Sequence, residues 1–403
     1  MKIGSVFNYK IKKGLAGRRQ SCDIVTSKLS KDQKVIWMHA ASLGEYLQGL
    51  PVLEKLKQKF PNHQILVTFF SPSGYENIVN KPSIADAICY LPFDKKKWIE
   101  EFTSHFETEI FFTVKYDYWY NLLNFLKKKG VKCYVISAYF YETQVFFKPY
   151  GSWFVSNLKR NIDWFFHQTQ RSSALAKGLG LEKSSTSGDT RYDKVKQNLE
   201  RDNHIQHISA FKEGRKTFVF GSSWEAEERI AELLYKKYDD KKFIIAPHDM
   251  SRVEHLIKIF PTALLYSSLA EFDEIPESIN LHSQVLIIDS IGLLSKLYAY
   301  GDIAIVGGGF HSAGLHNILE AAVFGIPVFF GNHYHKNPEA DELLIYKGGS
   351  AFEDEFAAAE YIEELIKNPL LLEAMGNNAA EFIISQPNAA EYVVRKIVKD
   401  INQ

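Results

Sequence analysis

Two α/β domains, each a doubly wound parallel sheet, are predicted by three features of this 403-residue chain. Short apolar runs alternate with helical segments over residues 1–193 and again over 216–403. A polar stretch, 194–215, rich in Gln, Asn, His, Lys and Glu, lies between them as a linker. In the second half, polar or glycine-rich residues follow each apolar run, at the end of a strand where open parallel sheets bind ligands.

In the first half the runs are Val35 to His39, Ile65 to Thr68, Ala87 to Leu91, Ile110 to Val114 and Val131 to Ile136. Trp164 to Phe166 and Ser184 to Thr186 complete the set. Gly44-Glu45 opens a helix carrying Leu47, Leu50, Leu53 and Leu56, and Pro51 is expected to bend it because it lacks a backbone donor. Further helices are expected near 95–102 and 121–129. In the second half, Thr217 to Phe220 ends in Gly221-Ser222-Ser223, and Phe243 to Ala246 in Pro247-His248-Asp249. Val285 to Ile288 ends in Asp289-Ser290-Ile291-Gly292, and Val328 to Phe330 in Gly331-Asn332. A last helix is expected over 389–401, with Tyr392, Val393, Ile397 and Val398 on its apolar side.

One stretch carries the most chemistry. Ile303 to Val306 reads as a buried strand and Gly307-Gly308-Gly309 as a turn that lets backbone approach a ligand. From Asn317 a helix is expected, ending at Gly325. Strand, glycine turn and helix start form a phosphate-binding unit, and the glycines alone would equally serve a tight connection. Asn317 and Glu320, three apart, share one face; a glutamate there accepts ribose hydroxyls while Asn317 and backbone amides meet phosphate. The glycine spacing is not the dinucleotide fingerprint, and no Lys-Ser/Thr follows as in a P-loop.

Composition narrows the class. Lysine plus arginine equals aspartate plus glutamate, 48 each, which argues against nucleic-acid binding by bulk charge. Cys22, Cys89 and Cys133 are too widely spaced for a disulfide framework or metal knuckle and fit a reducing cytoplasm. No apolar run reaches the roughly 20 residues that span a bilayer. Lys2, Lys10, Lys12, Lys13, Arg18 and Arg19 precede the first acid, Asp23, and Ile3, Phe7 and Ile11 recur at helical spacing. The first 19 residues therefore read either as a basic amphipathic helix on an anionic membrane or as a capping helix.

The motifs resemble one family. His39-Ala40-Ala41-Ser42-Leu43-Gly44-Glu45, Gly188-Asp189-Thr190-Arg191-Tyr192-Asp193, Gly221 to Glu228 and Gly307 to Glu320 occur in the order found in the 3-deoxy-D-manno-octulosonic acid (Kdo) transferases of lipid A assembly. The resemblance runs from about Lys10 to the end of the chain and implies the GT-B plan, two Rossmann-like domains facing a central cleft. It implies an inverting transfer of Kdo from CMP-Kdo to a lipid A precursor, in lipopolysaccharide biosynthesis at the cytoplasmic face of the inner membrane of a Gram-negative cell. It implies no metal cofactor, in keeping with a histidine-rich 311–335 segment that lacks cysteines or paired acids at ligand spacing.

By the same resemblance Glu45 is the general base, Asp117 replaces the family's second glutamate near the transition state, and Arg191 replaces a charge-stabilising lysine. His248, Asp249, Ile291, Gly292, Leu293, Asn317, Ile318, Leu319 and Glu320 match the CMP-binding positions. Lys115 and Tyr120 depart from the family's Glu-Thr-Glu-Leu-Trp-Pro-Asn, Ser137-Ala138-Tyr139 from its Asn-Ala-Arg, and His248 stands for an arginine. Glu45 also reads as a first-turn glutamate complementing its helix dipole, which keeps it ionised but weak as a base unless apolar surroundings compensate. The aromatic segment Tyr139 to Phe166, with Lys148, Lys159 and Arg160 interleaved, suits a lipid acceptor in part and core packing in part. A UDP-sugar transferase and a non-catalytic nucleotide-binding scaffold at the membrane are the alternatives.

Overall fold

The computed structural model describes residues 2–276, 279–312, 314–335 and 337–403; Met1, Glu277, Ser278, Ala313, Lys336 and the side chains of residues 2–10 lie outside the described residues. The chain divides into two compact units, 1–194 with 387–403, and 195–386.

The first unit is a seven-stranded parallel sheet made of β1 (Lys34–Ala40), β2 (Gln64–Phe69), β3 (Ala87–Tyr90), β4 (Glu107–Val114), β5 (Lys132–Ala138), β6 (Trp164–His167) and β7 (Ser184–Thr186). The order is β3-β2-β1-β4-β5-β6-β7. From β1 the chain winds one way to β2 and β3, then returns to lay β4 on the other side of β1. Helices leaving β1 and β4 therefore diverge, and a crevice opens at the carboxyl ends of these two strands. Alternate residues of β1 enter different cores, Val35 and Trp37 one and Ile36 and Met38 the other, so both faces are covered.

The second unit repeats the plan with β8 (Thr217–Ser223), β9 (Lys242–Pro247), β10 (Leu264–Leu265), β11 (Val285–Ile287), β12 (Ile303–Val306), β13 (Val328–Gly331) and β14 (Gly349–Phe352). The order β10-β11-β9-β8-β12-β13-β14 puts its reversal between β8 and β12. Backbone packs on backbone at this crevice. A Cβ on Gly307 would stand 1.9 Å from the Ser222 carbonyl oxygen, and Gly308 is left-handed at φ 91°. The glycines are thus demanded by strand-end packing, the connection reading, whatever ligand they also face.

Three expectations change. The helix expected from Asn317 to Gly325 is one turn, Leu319–Ala322, because the preceding chain folds back: His316 N–H donates to the Gly307 carbonyl at 3.0 Å. The last helix, Ala389–Ile401, expected in the second domain, belongs to the first unit, where Ala390, Val393, Val394 and Ile397 join the core beneath β1 and β5. Its start is tied by Ala390 N–H to Asp193 Oδ1 at 3.1 Å. The expected linker 194–215 is itself folded: Ile205, Ile208 and Phe211 are buried, and 195–386 form one unit.

The first helix is present as Lys2–Arg19, while the side chains of Lys2, Ile3, Val6, Phe7 and Lys10 lie outside the described residues. Its last turn docks through Arg18, which donates to the Phe70 carbonyl at 2.7 Å and lies 4.6 Å over the Phe70 ring. Ile11 and Leu15 remain exposed. No helix among the described residues is long and apolar enough to cross a membrane.

Two substitutions test this architecture. Ile397→Ala empties a fully buried site and should cost the first unit about 2–5 kcal/mol. Tryptophan fluorescence during urea unfolding reads this directly, since five of the six tryptophans (37, 98, 119, 153 and 164) lie there. An unchanged midpoint would mean that the last helix does not belong to this core. Gly307→Ala forces the β8 and β12 ends apart and should cost the second unit about 1–3 kcal/mol, seen as faster amide exchange along β8; unchanged exchange would contradict the contact.

Candidate active site

β1 is apolar through Met38 and then places a wholly buried histidine, His39, near its carboxyl end. Register puts His39 beside Thr68 of β2 and Thr113 of β4, both also buried. Side chains at matched positions of parallel strands share a face, so these three form a polar row at the strand reversal. Trp37 Nε1 donates to Thr68 Oγ1 at 2.8 Å, and Thr68 Oγ1 lies 2.9 Å from His39 Nδ1. His39 Nε2 meets Asp117 Oδ2 at 2.8 Å, with Trp119 Nε1 3.1 Å from the same nitrogen.

Asp117 rides on the turn that follows β4. Lys115 begins it in the left-handed region at φ 63°, and its N–H donates to the Ile136 carbonyl at 3.0 Å. The Thr113 hydroxyl donates to the Asp117 carbonyl at 3.2 Å. The row under the turn thus holds Asp117 by backbone and by side chain.

Glu45 stands in the first turn of the helix Leu43–Lys59, in a capping box with Ser42. Its Oε2 accepts from Ser42 N–H at 2.9 Å and from the Ser42 hydroxyl at 3.2 Å; Oε1 has no hydrogen bond among the described residues. Burial raises the proton affinity of Glu45 above the ordinary carboxylate range, the Asp117 charge raises it further, and Lys115 and Ser42 pull it back. Burial is the compensation that the helix dipole called for.

Arg191 is braced rather than extended. Its Nε donates to Asp189 Oδ2 at 2.7 Å, Nη2 pairs with the same oxygen at 2.7 Å, and Asp189 Oδ1 accepts from Gln48 Nε2 at 2.7 Å. Gln48 sits one turn beyond Glu45, and its carbonyl also accepts from Thr190 Oγ1 at 2.6 Å. The 188–193 segment is therefore fastened to the helix that carries Glu45.

In the second unit His248, Asp249, Ile291 and Gly292 line one cavity of about 430 Å³ together with Ser222, Pro247, Ser290 and Leu294. Asp249 is occupied as a cap, accepting from Ser251 N–H at 2.9 Å. His248 stacks on Trp224 at 4.5 Å between centroids and lies 4.6 Å from the His316 ring. Burial, then His248, then His311 lower His316 to about 4, so it is neutral at pH 7. Asn317 Nδ2 donates to Glu320 Oε1 at 3.0 Å, and Asn317 Oδ1 accepts from Leu319 N–H at 3.1 Å. Burial raises the proton affinity of Glu320, against the Asn317 hydrogen bond and the Arg201 charge. Ile318 and Leu319 are core side chains with nothing exposed. Leu293 lies between Gly292 and the helix Leu294–Leu297.

Sequence reasoning did not single out His39, Thr68 and Thr113 as site residues. The signal was there: each is a polar residue set near the end of an otherwise apolar run, at the same step of its strand. It also missed Glu227, fully buried, which accepts from Trp224 N–H at 2.9 Å and Gly308 N–H at 3.0 Å, and so ties the glycine turn to the helix Glu225–Tyr235 that follows β8.

A profile of the family described as 3-Deoxy-D-manno-octulosonic-acid transferase (kdotransferase) matches residues 16–194. A 3-deoxy-D-manno-octulosonic acid transferase of Aquifex aeolicus (strain VF5) is 29% identical over 323 residues, 79% of this chain and 81% of that protein. One from Haemophilus influenzae (strain ATCC 51907 / DSM 11121 / KW20 / Rd) is 25% identical over 374 residues, 88% of this chain and 84% of that protein. Among solved structures, a UDP-GlcNAc 2-epimerase from Neisseria meningitidis shares the fold at TM-score 0.62 and 15% identity, covering 91% of this chain and 100% of that one. The ordered motifs, the profile over the first unit and the likeness reaching into the second agree: with two parallel sheets in a two-domain α/β fold of GT-B type, this chain carries a Kdo transferase family domain over residues 16–194 and is similar to Kdo transferases along most of its length.

Proposed function

We propose that the chain transfers Kdo from CMP-Kdo to a hydroxyl of a lipid A precursor, with inversion at the anomeric carbon. The reading is carried by the two carboxylates at the β1–β4 reversal: Glu45, half-desolvated with one oxygen uncommitted, and Asp117, close enough to raise its proton affinity. Glu45 Oε1 takes the proton of the acceptor hydroxyl, whose oxygen bonds to the anomeric carbon. The bond from that carbon to the phosphate oxygen breaks, and its electron pair leaves with CMP. Attack opposite the leaving group inverts the centre. The Asp117 carboxylate stabilises the positive charge that develops on the sugar ring, and Arg191 supplies positive charge beside the reacting groups. No metal cofactor enters this scheme.

CMP is assigned to the cavity of His248, Asp249, Ile291 and Gly292, with Leu293 and the backbone at Ile318 and Leu319 beside it. Glu320 takes the ribose hydroxyls and Asn317 the phosphate end, exchanging their mutual hydrogen bond for the ligand. The lipid acceptor is supported by exposed aromatics on the first unit, Tyr150, Trp153 and Phe154, with Trp153 stacked on Tyr120 at 4.8 Å. Lys148 and Lys159 line a cavity of about 620 Å³ with Phe146 and Phe147 nearby, a mixture that suits acyl chains and phosphate. With Ile11 and Leu15 exposed on the first helix, this supports a peripheral place on an anionic membrane, the cytoplasmic face of the inner membrane.

Glu45→Gln keeps the acceptor for Ser42 N–H but cannot take a proton. Turnover of CMP-Kdo with a tetra-acylated lipid A precursor, followed by product mass, should fall about 100-fold to 10,000-fold. CMP affinity should stay unchanged, and stability should shift by only about 0.3–1 kcal/mol. Activity within a few-fold of wild type would move the base elsewhere.

The base works only when unprotonated, so activity falls as pH drops through its raised affinity. The acidic limb of kcat/KM should therefore have its midpoint above the ordinary carboxylate value of 4.5. Asp117→Asn removes the repelling charge, and the limb of the residual activity should move to lower pH. A limb that stays in place would separate the two carboxylates.

A further inference from the structure

His39 is wholly buried, so it touches neither donor nor acceptor, yet it is fastened on both nitrogens. The hydrogen-bond directions can be inferred along the row. The Trp37 indole can only donate, so Thr68 Oγ1 accepts from it at 2.8 Å. The single hydroxyl proton of Thr68 then points to His39 Nδ1, 2.9 Å away. Nδ1 accepts, the proton of the neutral ring sits on Nε2, and Nε2–H donates to Asp117 Oδ2 at 2.8 Å. In this arrangement every proton from indole to hydroxyl to imidazole points toward the carboxylate. The opposite tautomer would make Thr68 accept twice and turn a bare nitrogen on the carboxylate oxygen. The Trp119 N–H also faces Nε2, at 3.1 Å and edge-on to the ring. The shorter contact, to Asp117 at 2.8 Å, takes the Nε2 proton in the tautomer inferred, whereas donation from Trp119 to a bare Nε2 belongs to the Nδ1–H tautomer.

We infer that His39 is the positioning residue of the carboxylate pair: as the Nε2–H tautomer, set by Trp37 and Thr68, it holds Asp117 fixed in its turn beside Glu45. The turn needs such a hold. It opens on a left-handed lysine whose N–H is held by the Ile136 carbonyl, and Tyr118 packs on Phe140 and Phe165, but Asp117 itself meets the sheet through Thr113 and His39. His39, Thr68 and Thr113 are adjacent across three central strands. This inference rests on the carboxylate-pair reading for its catalytic consequence, but the tautomer is a property of the protein alone.

The experiment has two arms. In the first, 15N-histidine NMR of the wild-type protein without substrate at about pH 8, with the His39 signal assigned by its loss in His39→Gln, should show the Nε2–H tautomer. An Nδ1–H tautomer or an imidazolium would overturn the inference. In the second, His39→Leu should lower kcat about 100-fold through misplacement of Asp117, with KM for CMP-Kdo unchanged. His39→Gln, whose amide N–H reaches the position of Nε2–H, should restore kcat to within about tenfold of wild type. In the Asp117→Ala background His39→Leu should cost nothing more. Losses that multiply, or a glutamine variant as poor as leucine, would make His39 merely structural. A wild-type protein that makes no product from CMP-Kdo would sink the donor reading alone, and the NMR arm would still decide the tautomer.

Discussion

Reversal of strand order is the constraint on which both halves depend. Between β1 and β4, and again between β8 and β12, consecutive windings run in opposite directions, and the strand ends there are left uncovered by their own crossovers. Buried polar residues gather at those two places, His39, Thr68 and Thr113 in the first unit and Ser223 and Glu227 in the second. The two crevices are built differently. The first brings side chains together over the sheet end, with a polar row under a strained turn. The second brings backbones together, with Gly307 against Ser222 and Glu227 holding Gly308. A side-chain crevice suits proton transfer, where donors and acceptors must be aimed. A backbone crevice suits a nucleotide, whose phosphate is met by N–H groups and whose base slides into a narrow slot.

The strands were legible because a sheet buried on both faces writes continuous apolar runs, and Val35 to Met38, Phe243 to Ala246 and Ile303 to Val306 are of that kind. Strand ends were legible for the same reason, since polarity resumes there. β10 and β14 were not, being two and four residues with partly exposed side chains. The last helix was readable as a helix, while its partner core was not: amphipathicity tells which face is buried, not what buries it. The helix after the glycine turn was overread, because Ile318, Leu319 and Val323 have helical spacing. Their burial is achieved by a folded-back loop and a single turn, and the hydrogen bond from His316 to Gly307 that sets the fold is a long-range choice.

The site was legible in part. Glu45 announced itself by its place after Ser42 and Gly44, and the structure brings it near Asp117 and fastens the Arg191 segment to the same helix. The nine positions matched by resemblance to CMP binding divide: four line a cavity, while Ile318 and Leu319 turn their side chains into the core. Spacing could not show that Asp249 and Asn317 cap local backbone, or that Arg191 is braced by Asp189. Each depends on where a neighbouring N–H or carboxylate ends up in space.

Desolvation, more than the helix dipole, sets the proton states in both units. It is the first cause for Glu45, for Glu320 and for Glu227, which is raised to about 6, and it is the first cause lowering His311 and His316. Burial penalises whichever form is charged, so acids hold protons longer and imidazoles lose them sooner. For Glu227 the consequence has a definite sign. Its folded affinity exceeds the ordinary value of 4.5, so the folded state gains stability as pH falls through about 6 toward 4.5 and gives it up as pH rises again. The carboxylate form, with two backbone N–H groups to accept, is therefore kept at neutral pH at some cost to stability. That cost is tolerable because Glu227 fixes the glycine turn, and a turn without side chains of its own has few other ways to be held.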